Sequence, residues 1–254
     1  MNNITSIPIF CITCNDTTGN KYAERQQRMR SRFQNLGLDF EFVFSPDSND
    51  PAIYPGEELI QQGMSNDRWK PYIWSGSHGH FNAIKQFLDT GKQIGIICED
   101  DIMLHKDLKE ELPVIVANFN RQKLDLLLMS YLTPLTDLEK PAVLHCNKPL
   151  KSPFFSYHSY DNEHELWGAQ MYMIERNNAE RLYDKYGPHT DYKFRSLKQP
   201  DIPVWVADWV ITKEGNRALI NPMMAVEEGV PTQPPHLPLH ARNLEFNYDN
   251  NIYF

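Results

Sequence analysis

Short apolar runs alternate with amphipathic stretches of helical spacing along the first half of this chain. Ile7-Pro8-Ile9-Phe10-Cys11-Ile12-Thr13-Cys14 reads as a buried strand, and Asn15-Asp16-Thr17-Thr18-Gly19-Asn20 as a turn-rich loop. From Lys21 to Leu36, the apolar residues Met29, Phe33 and Leu36 fall on one helical face, with Gly37 placed as a C-terminal stop. Asp39-Phe40-Glu41-Phe42-Val43-Phe44 then alternates as a second strand. A strand, a helix and a strand in that order predict a parallel sheet with covering helices.

Residues 46–72 are polar and turn-rich and read as a long excursion over the surface. Ser77 is placed to cap a helix through about Leu88, with Phe81, Ile84, Phe87 and Leu88 as its buried face and His78 at its solvated start. Residues 93–98 make the next strand. A helix follows from Asp107 or Leu108 to about Phe119, and Pro113 moves its expected start toward Glu110. Leu124 to Met129 and Trp167 to Ile174 read as further buried strands, and Asn177 or Asn178 as the start of a helix through Tyr186. A short apolar stretch runs from Ala218 to Val226. The tail from Pro231 reads as wrapping the surface. The expected organisation is one domain over 1–254, with 1–130 as a nucleotide-binding half and 131–254 as an acceptor-binding half and tail.

Composition narrows the classes. Apolar residues make up 41% and aromatic residues 12% of 254, enough for a substantial core. A formal net charge of −8 argues against a partner that is bare nucleic-acid backbone. There is no apolar run long enough to span a bilayer, and Met1 to Ser6 lacks the features of a signal peptide, so a cytoplasmic location is expected. Cys11 and Cys14 have C-x-x-C spacing but lie inside an apolar strand. Buried, reduced thiols are therefore expected there rather than a redox pair or a zinc site.

One stretch stands apart. In Gly95-Ile96-Ile97-Cys98-Glu99-Asp100-Asp101-Ile102-Met103-Leu104 a buried run breaks into three consecutive carboxylates and turns apolar again. Adjacent acids at the end of a buried strand repel one another and lose hydration, so a positive partner is expected. Mg²⁺ or Mn²⁺ suits oxygen ligands; the other reading is a solvated loop near a helix N-terminus. On an extended segment Glu99 and Asp101 project to one side as a metal-binding pair, and Asp100 points away to anchor the loop.

With these motifs the chain resembles glycosyltransferase family 25. The opening strand with Arg25 after it, Leu36 to Val43, Gly79-His80-Phe81-Asn82-Ala83-Ile84, Glu99-Asp100-Asp101, Leu124 to Met129, Gly168 to Tyr172 and Pro203 to Asp208 follow the family's order. Gly79 departs from the family's usual serine. The segment 131–165 and the tail do not match. The resemblance implies a GT-A-like, Rossmann-type mixed α/β sheet with helices on both faces. It implies a UDP-sugar donor, Mn²⁺ or Mg²⁺, a glycan or glycoprotein acceptor, and transfer of a hexose, galactose or glucose, with inversion.

The same resemblance makes Asp208 the expected catalytic base, unless it only caps a helix beginning at Trp209. Asp161 and Glu165 are weaker alternatives. Arg25, His80, Glu99 and Asp100 are expected at the donor, and Glu99 and Asp101 at the metal. For His80 a core hydrogen bond is the other reading, and for the arginines around Arg25 a solvated face. Trp69, Trp74 and Trp167 either stack on a ligand or pack in the core. His236 and His240 are late histidines that could complete a metal site. Two other functions fit the residues: a non-catalytic nucleotide- or glycan-binding relative, and a metal-dependent phosphohydrolase or nuclease. The phosphohydrolase or nuclease needs further acids at the metal, and no second strongly acidic strand end is apparent.

Overall fold

A computed structural model describes residues 7–15, 21–48, 71–132, 156–159, 167–199, 201–228 and 237–254. In chain order the first elements are β1 (Ile9–Cys14), α1 (Lys21–Leu36), β2 (Glu41–Ser45), α2 (Pro71–Asp89), β3 (Ile94–Glu99), β4 (Ile102–Leu104) and α3 (Leu108–Arg121). They are followed by β5 (Leu126–Leu132), β6 (Ser156–Ser159), β7 (Trp167–Glu175), α4 (Arg176–Tyr186), α5 (Tyr192–Lys198), α6 (Ala207–Val210), β8 (Arg217–Asn221), β9 (Ala225–Glu227) and α7 (Leu237–Asn247).

Seven strands form one mixed sheet in the order β2-β1-β3-β7-β5-β8-β6, and β4 pairs with β9 in a small second sheet. β1 lies parallel to both β2 and β3, whereas β7 runs antiparallel between β3 and β5. The two-residue period of the strands sorts the core onto two faces. Phe10, Ile12, Ile97, Leu126, Leu128 and Tyr172 pack with α2 and α4 on one side. Ile9, Cys11, Ile96, Cys98, Leu127 and Met129 pack with α1 and α3 on the other. This is the α/β architecture with helices on both faces that the alternation of elements implies.

Several sequence expectations shift. α2 begins at Pro71, a residue suited to the first helical position, so Ser77 lies inside the helix rather than at its cap. His78 is then not a solvated start: it is partly buried, with its ring 4.9 Å from that of Trp205. α3 begins at Leu108 and keeps Pro113 inside it, where burial of Leu108, Leu112, Ile115 and Phe119 outweighs the lost backbone donor. The tail forms α7, and its end returns to the small sheet, where His105 bridges Tyr253 and Tyr253 is buried. The arginines of α1 are a solvated face only in part: Arg30 is exposed, but Arg28 and Arg32 have a partner. Arg28 and Arg32 both grip Glu228, at 3.1 and 2.5 Å, and Arg30 lies over the Phe42 ring.

Gly79 explains the one departure within its motif. A Cβ at this position would run into Ser45 Oγ and come within 2.7 Å of Ile12 Cγ2. The serine hydroxyl from β2 thus fills the space that a side chain at 79 would need, and the glycine lets α2 lie close on β1 and β2.

Candidate active site

The parallel strands β1, β2 and β3 end at one edge of the sheet, where open α/β sheets bind ligands. A cavity of about 330 Å³ lies there. Its wall includes Thr13, Cys14, Tyr22, Arg25, Ser45, Asp47, Tyr72, Ser75 and His80, and its floor includes Glu99, Asp100 and Asp101. The register accounts for the floor. Ile12 pairs with Glu99, which brings Thr13 level with Asp100, and Thr13 Oγ1 donates to Asp100 Oδ2 at 2.5 Å. Arg25, from the second turn of α1, places Nη1 3.1 Å from both Asp100 Oδ1 and Asp101 Oδ2.

Each acid of the triplet has its own environment. Glu99 accepts a hydrogen bond at 3.1 Å from His80 Nε2, while His80 Nδ1 lies 3.2 Å from the Tyr172 hydroxyl. A carboxylate can only accept, so Nε2 carries the hydrogen of this bond, and Nδ1 and the phenol share the second. Burial pushes Glu99 up, but the His80 bond and charge, with Arg25 and His240, leave it below its ordinary value. Burial raises Asp100 even against Thr13 and Arg25. Asp101 is held well above the usual carboxylate range, first by burial and then by the charges of Glu227 and Glu99.

Glu227 is an acid beside the triplet that sequence reasoning missed. Ile102 pairs with Glu227 across the small sheet, and the Glu228 N–H donates to the Asp101 carbonyl at 2.7 Å. Glu227 Oε1 accepts from His240 Nδ1 at 2.7 Å, and its Oε2 from Gln170 Nε2 at 3.3 Å. That hydrogen bond raises the His240 pKa against the opposing effect of burial. Val226-Glu227-Glu228 is a second acidic strand end, and the apolar-to-acidic break was the available signal. What the sequence lacked was the pairing of β9 with β4. Only Glu227 turns toward the triplet; Glu228 is committed to Arg28 and Arg32.

Asp208 lies in the first turn of α6, but it does not cap that helix. The N-cap is Val206 in extended conformation, with no side-chain capping bond. The Asp208 carboxylate instead accepts the Gly168 N–H at 3.0 Å, from the start of β7. Gly168 has φ of 115°, a backbone state that glycine adopts without the strain a Cβ would add. Burial, then the Glu99 charge, lifts the Asp208 pKa to about 6, against the lowering effects of His80, the Gly168 bond and Lys213. Asp208 retains some exposed surface, so a ligand can reach it.

Other expected positions resolve differently. Trp74 is fully buried, edge-on to Trp205 at 5.6 Å, and is core rather than a stacking platform. Burial, with the Lys193 charge, lowers His78 to about 4. Cys11, Cys14 and Cys98 are free thiols. Trp69, Asp161, Glu165, His236, Cys146 and nearly all of 131–165 lie outside the described residues, as does the Trp167 side chain.

The donor chemistry suits a hard divalent cation. Asp101 Oδ1 and Gln170 Oε1 are both buried without a hydrogen-bond partner, and oxygen is what Mg²⁺ and Mn²⁺ take. Among the described residues no group of three or more His, Cys, Asp or Glu side chains is gathered as a metal site. A cation that shares its coordination sphere with substrate phosphates needs only one or two protein carboxylates.

A polar cavity floored by acids at the ends of parallel strands marks the class: an α/β protein with its candidate site where open sheets bind ligands. The profile of Glycosyltransferase family 25 (LPS biosynthesis protein) matches residues 20–193. That is more than half of the chain, and the chain belongs to this family. A search of the curated proteins finds no match. Among solved structures, the chain is similar to a glycosyltransferase involved in the glycosylation of the major capsid of PBCV-1. That match has 10% identity and a TM-score of 0.36, over 93% of this chain and 97% of the other. It is similar also to HddC from Yersinia pseudotuberculosis complexed with GMP-PN, with 10% identity and a TM-score of 0.42, over 94% and 99% of the two chains. Membership of a glycosyltransferase family implies a sugar donor and an acceptor. Among the described residues no helix is long and apolar enough to cross a membrane.

Proposed function

We propose that this protein is a metal-dependent, inverting glycosyltransferase that moves a hexose, galactose or glucose, from a UDP-sugar to a hydroxyl of a glycan or glycoprotein. The observation that carries the metal dependence is the imbalance of charge at the cavity floor. Glu99, Asp100 and Asp101 meet there, with the charge of Glu227 felt at Asp101 from the small sheet, while Arg25 is already shared by two of them. A diphosphate adds more negative charge, so a cation has to accompany it.

Asp101, Glu99 and Glu227 would hold Mn²⁺ or Mg²⁺, and His240 would orient Glu227. When bound, the cation supplies neutralisation of charge on the leaving diphosphate. Arg25 anchors the acids and presents its remaining guanidinium donors to phosphate oxygens. His80 fixes Glu99, and Tyr172 fixes His80. Asp208 takes the proton of the acceptor hydroxyl as its oxygen attacks the anomeric carbon from the face opposite the leaving group. The new glycosidic bond forms as the bond to the diphosphate breaks, and the proton stays on Asp208 until solvent removes it. A carboxylate with a pKa near 6 is a better base than an ordinary one and is still ionised at neutral pH.

The test is release of nucleoside diphosphate from a panel of nucleotide-sugars, with Mn²⁺ and a mixture of glycan acceptors. UDP-galactose or UDP-glucose should be turned over by the wild type and not by Asp101→Ala. Turnover of GDP- or CMP-sugars alone would overturn the donor assignment. Nucleotide binding without turnover of any donor would overturn the catalytic one.

A further inference from the structure

We infer that Ser77 is a positioning residue for Asp208: its hydroxyl, set between the backbone of Trp205 and Ala207, fixes where the short helix bearing Asp208 begins. The inference rests on Asp208 being the base. α6 is a single turn, and its N-cap, Val206, offers no side-chain acceptor to the first N–H groups. Ser77 supplies one from outside. Its Oγ accepts the Ala207 N–H at 3.1 Å and donates to the Trp205 carbonyl at 3.3 Å. Ser77 is 1% exposed, so water cannot replace either bond.

A serine inside a helix commonly satisfies itself on the carbonyl one turn back. Ser77 reaches across to another segment instead. Its anchor is rigid, because the Trp205 indole donates to the Tyr186 carbonyl at 2.7 Å and stacks on Phe81 at 5.8 Å. On the far side, the Thr212 hydroxyl donates to the Asp208 carbonyl, and the Asp208 carboxylate takes the Gly168 N–H. Asp208 is thereby located from three directions, and Ser77 bonds the first N–H of its helix, while Ser196 accepts the Trp205 N–H just before it. Ser77 and His80 are also three residues apart on one face of α2. One helix therefore sets both Asp208, through Ser77, and Glu99, through His80.

The experiment uses Ser77→Ala and Ser77→Thr in the full chain. Carboxyl NMR titration of protein labelled at aspartate follows Asp208, with its resonance identified from Asp208→Asn. The groups facing that carboxyl are Glu99, His80, Lys213 and the Gly168 N–H. Ser77→Ala should lower its midpoint by roughly one pH unit as the carboxyl loses its enclosure. It should also lower kcat about tenfold, with the donor KM within about twofold, because an ångström of misplacement acts on chemistry rather than on donor binding. Ser77→Thr should restore both. An unchanged midpoint and kcat in Ser77→Ala would overturn the inference. So would a loss shared equally by the threonine variant, with donor KM rising and melting temperature falling together, since that marks a merely structural hydroxyl. If Ser77→Ala does not fold, Ser77→Cys replaces it under the same criteria. Full transfer by Asp208→Asn would instead overturn the base itself, and the titration of Ser77→Ala would still report whether Ser77 anchors the helix.

Discussion

The two acidic regions of the site show how differently a fold can treat a carboxylate. At the end of β3, three acids crowd together with Glu227 nearby, and Arg25 compensates only part of the charge. At the start of α6, Asp208 accepts one backbone N–H and, among the described residues, has no cation bonded to it. Burial raises Asp101 and Asp208 alike and Glu99 adds to both, but Asp101 also has Glu227 and Asp100 against it, whereas His80, the Gly168 N–H and Lys213 pull Asp208 the other way. A bound cation would relieve the first situation directly and would reach the second only through Glu99. Crowded acids call for a counter-charge; an enclosed acid with few acidic neighbours gains basicity.

The largest effect should come from removing the crowding. Asp101→Ala, or chelation of the divalent cation, should cost on the order of a thousandfold in transfer, since it removes several kcal/mol of charge stabilisation at the leaving group. Restoration by Mn²⁺ should follow in the wild type but not in the variant. If the variant keeps its rate in chelator, the first region is not a cation site. Next, Asp208→Asn should lower kcat by about 10²–10⁴, with nucleotide affinity retained in calorimetry. A loss of affinity there would move Asp208 to the donor side and dissolve the contrast.

The pH dependence sharpens the same point. The base must be ionised, so kcat should fall as pH drops through about 6 and be level above it. A limb that stays near 4 would mean the carboxyl is not enclosed in the working enzyme. A smaller effect, about tenfold on kcat, is expected for Tyr172→Phe, which leaves His80 Nδ1 without its hydrogen-bond partner and loosens Glu99. Unaltered kinetics would show that His80 holds Glu99 unaided.

The smallest effect is on stability. An acid whose pKa is raised by folding favours the folded state as pH falls and opposes it once ionised, above about 6. Asp208→Asn should therefore melt higher than the wild type at pH 8 and no higher at pH 4. Partial solvent exposure limits the gain to roughly 1 kcal/mol. A lower melting temperature at pH 8 would contradict the enclosure of this carboxylate.

Much of this was legible in the chain. Alternating strands and amphipathic helices are local patterns, and β1, α1, β2, β3 and β5 follow from them because burial on one face needs a fixed period. Three acids after a buried strand are equally local. Boundaries were less legible. α2 starts at Pro71 because its apolar face extends to Trp74, and α3 keeps Pro113 because four buried side chains hold it. Asp208 was visible as an acid in an apolar run, but its choice of Gly168 over its own helix was not.

The sequence by itself determined the α/β class, the two-faced core and the place of the acid triplet, because each depends on residues close together along the chain. The tertiary structure alone decided the rest. It joined Glu227 to Asp101 through a strand pair, gave Arg28 and Arg32 to Glu228 rather than to solvent, put Ser45 where residue 79 has no side chain, and set Ser77 under the helix of Asp208. Those partners lie far apart in the chain, and no local period encodes which of many buried polar groups will meet. Only packing the two faces of the sheet brings them within bonding distance, and burial then makes each missing bond costly enough to fix the choice.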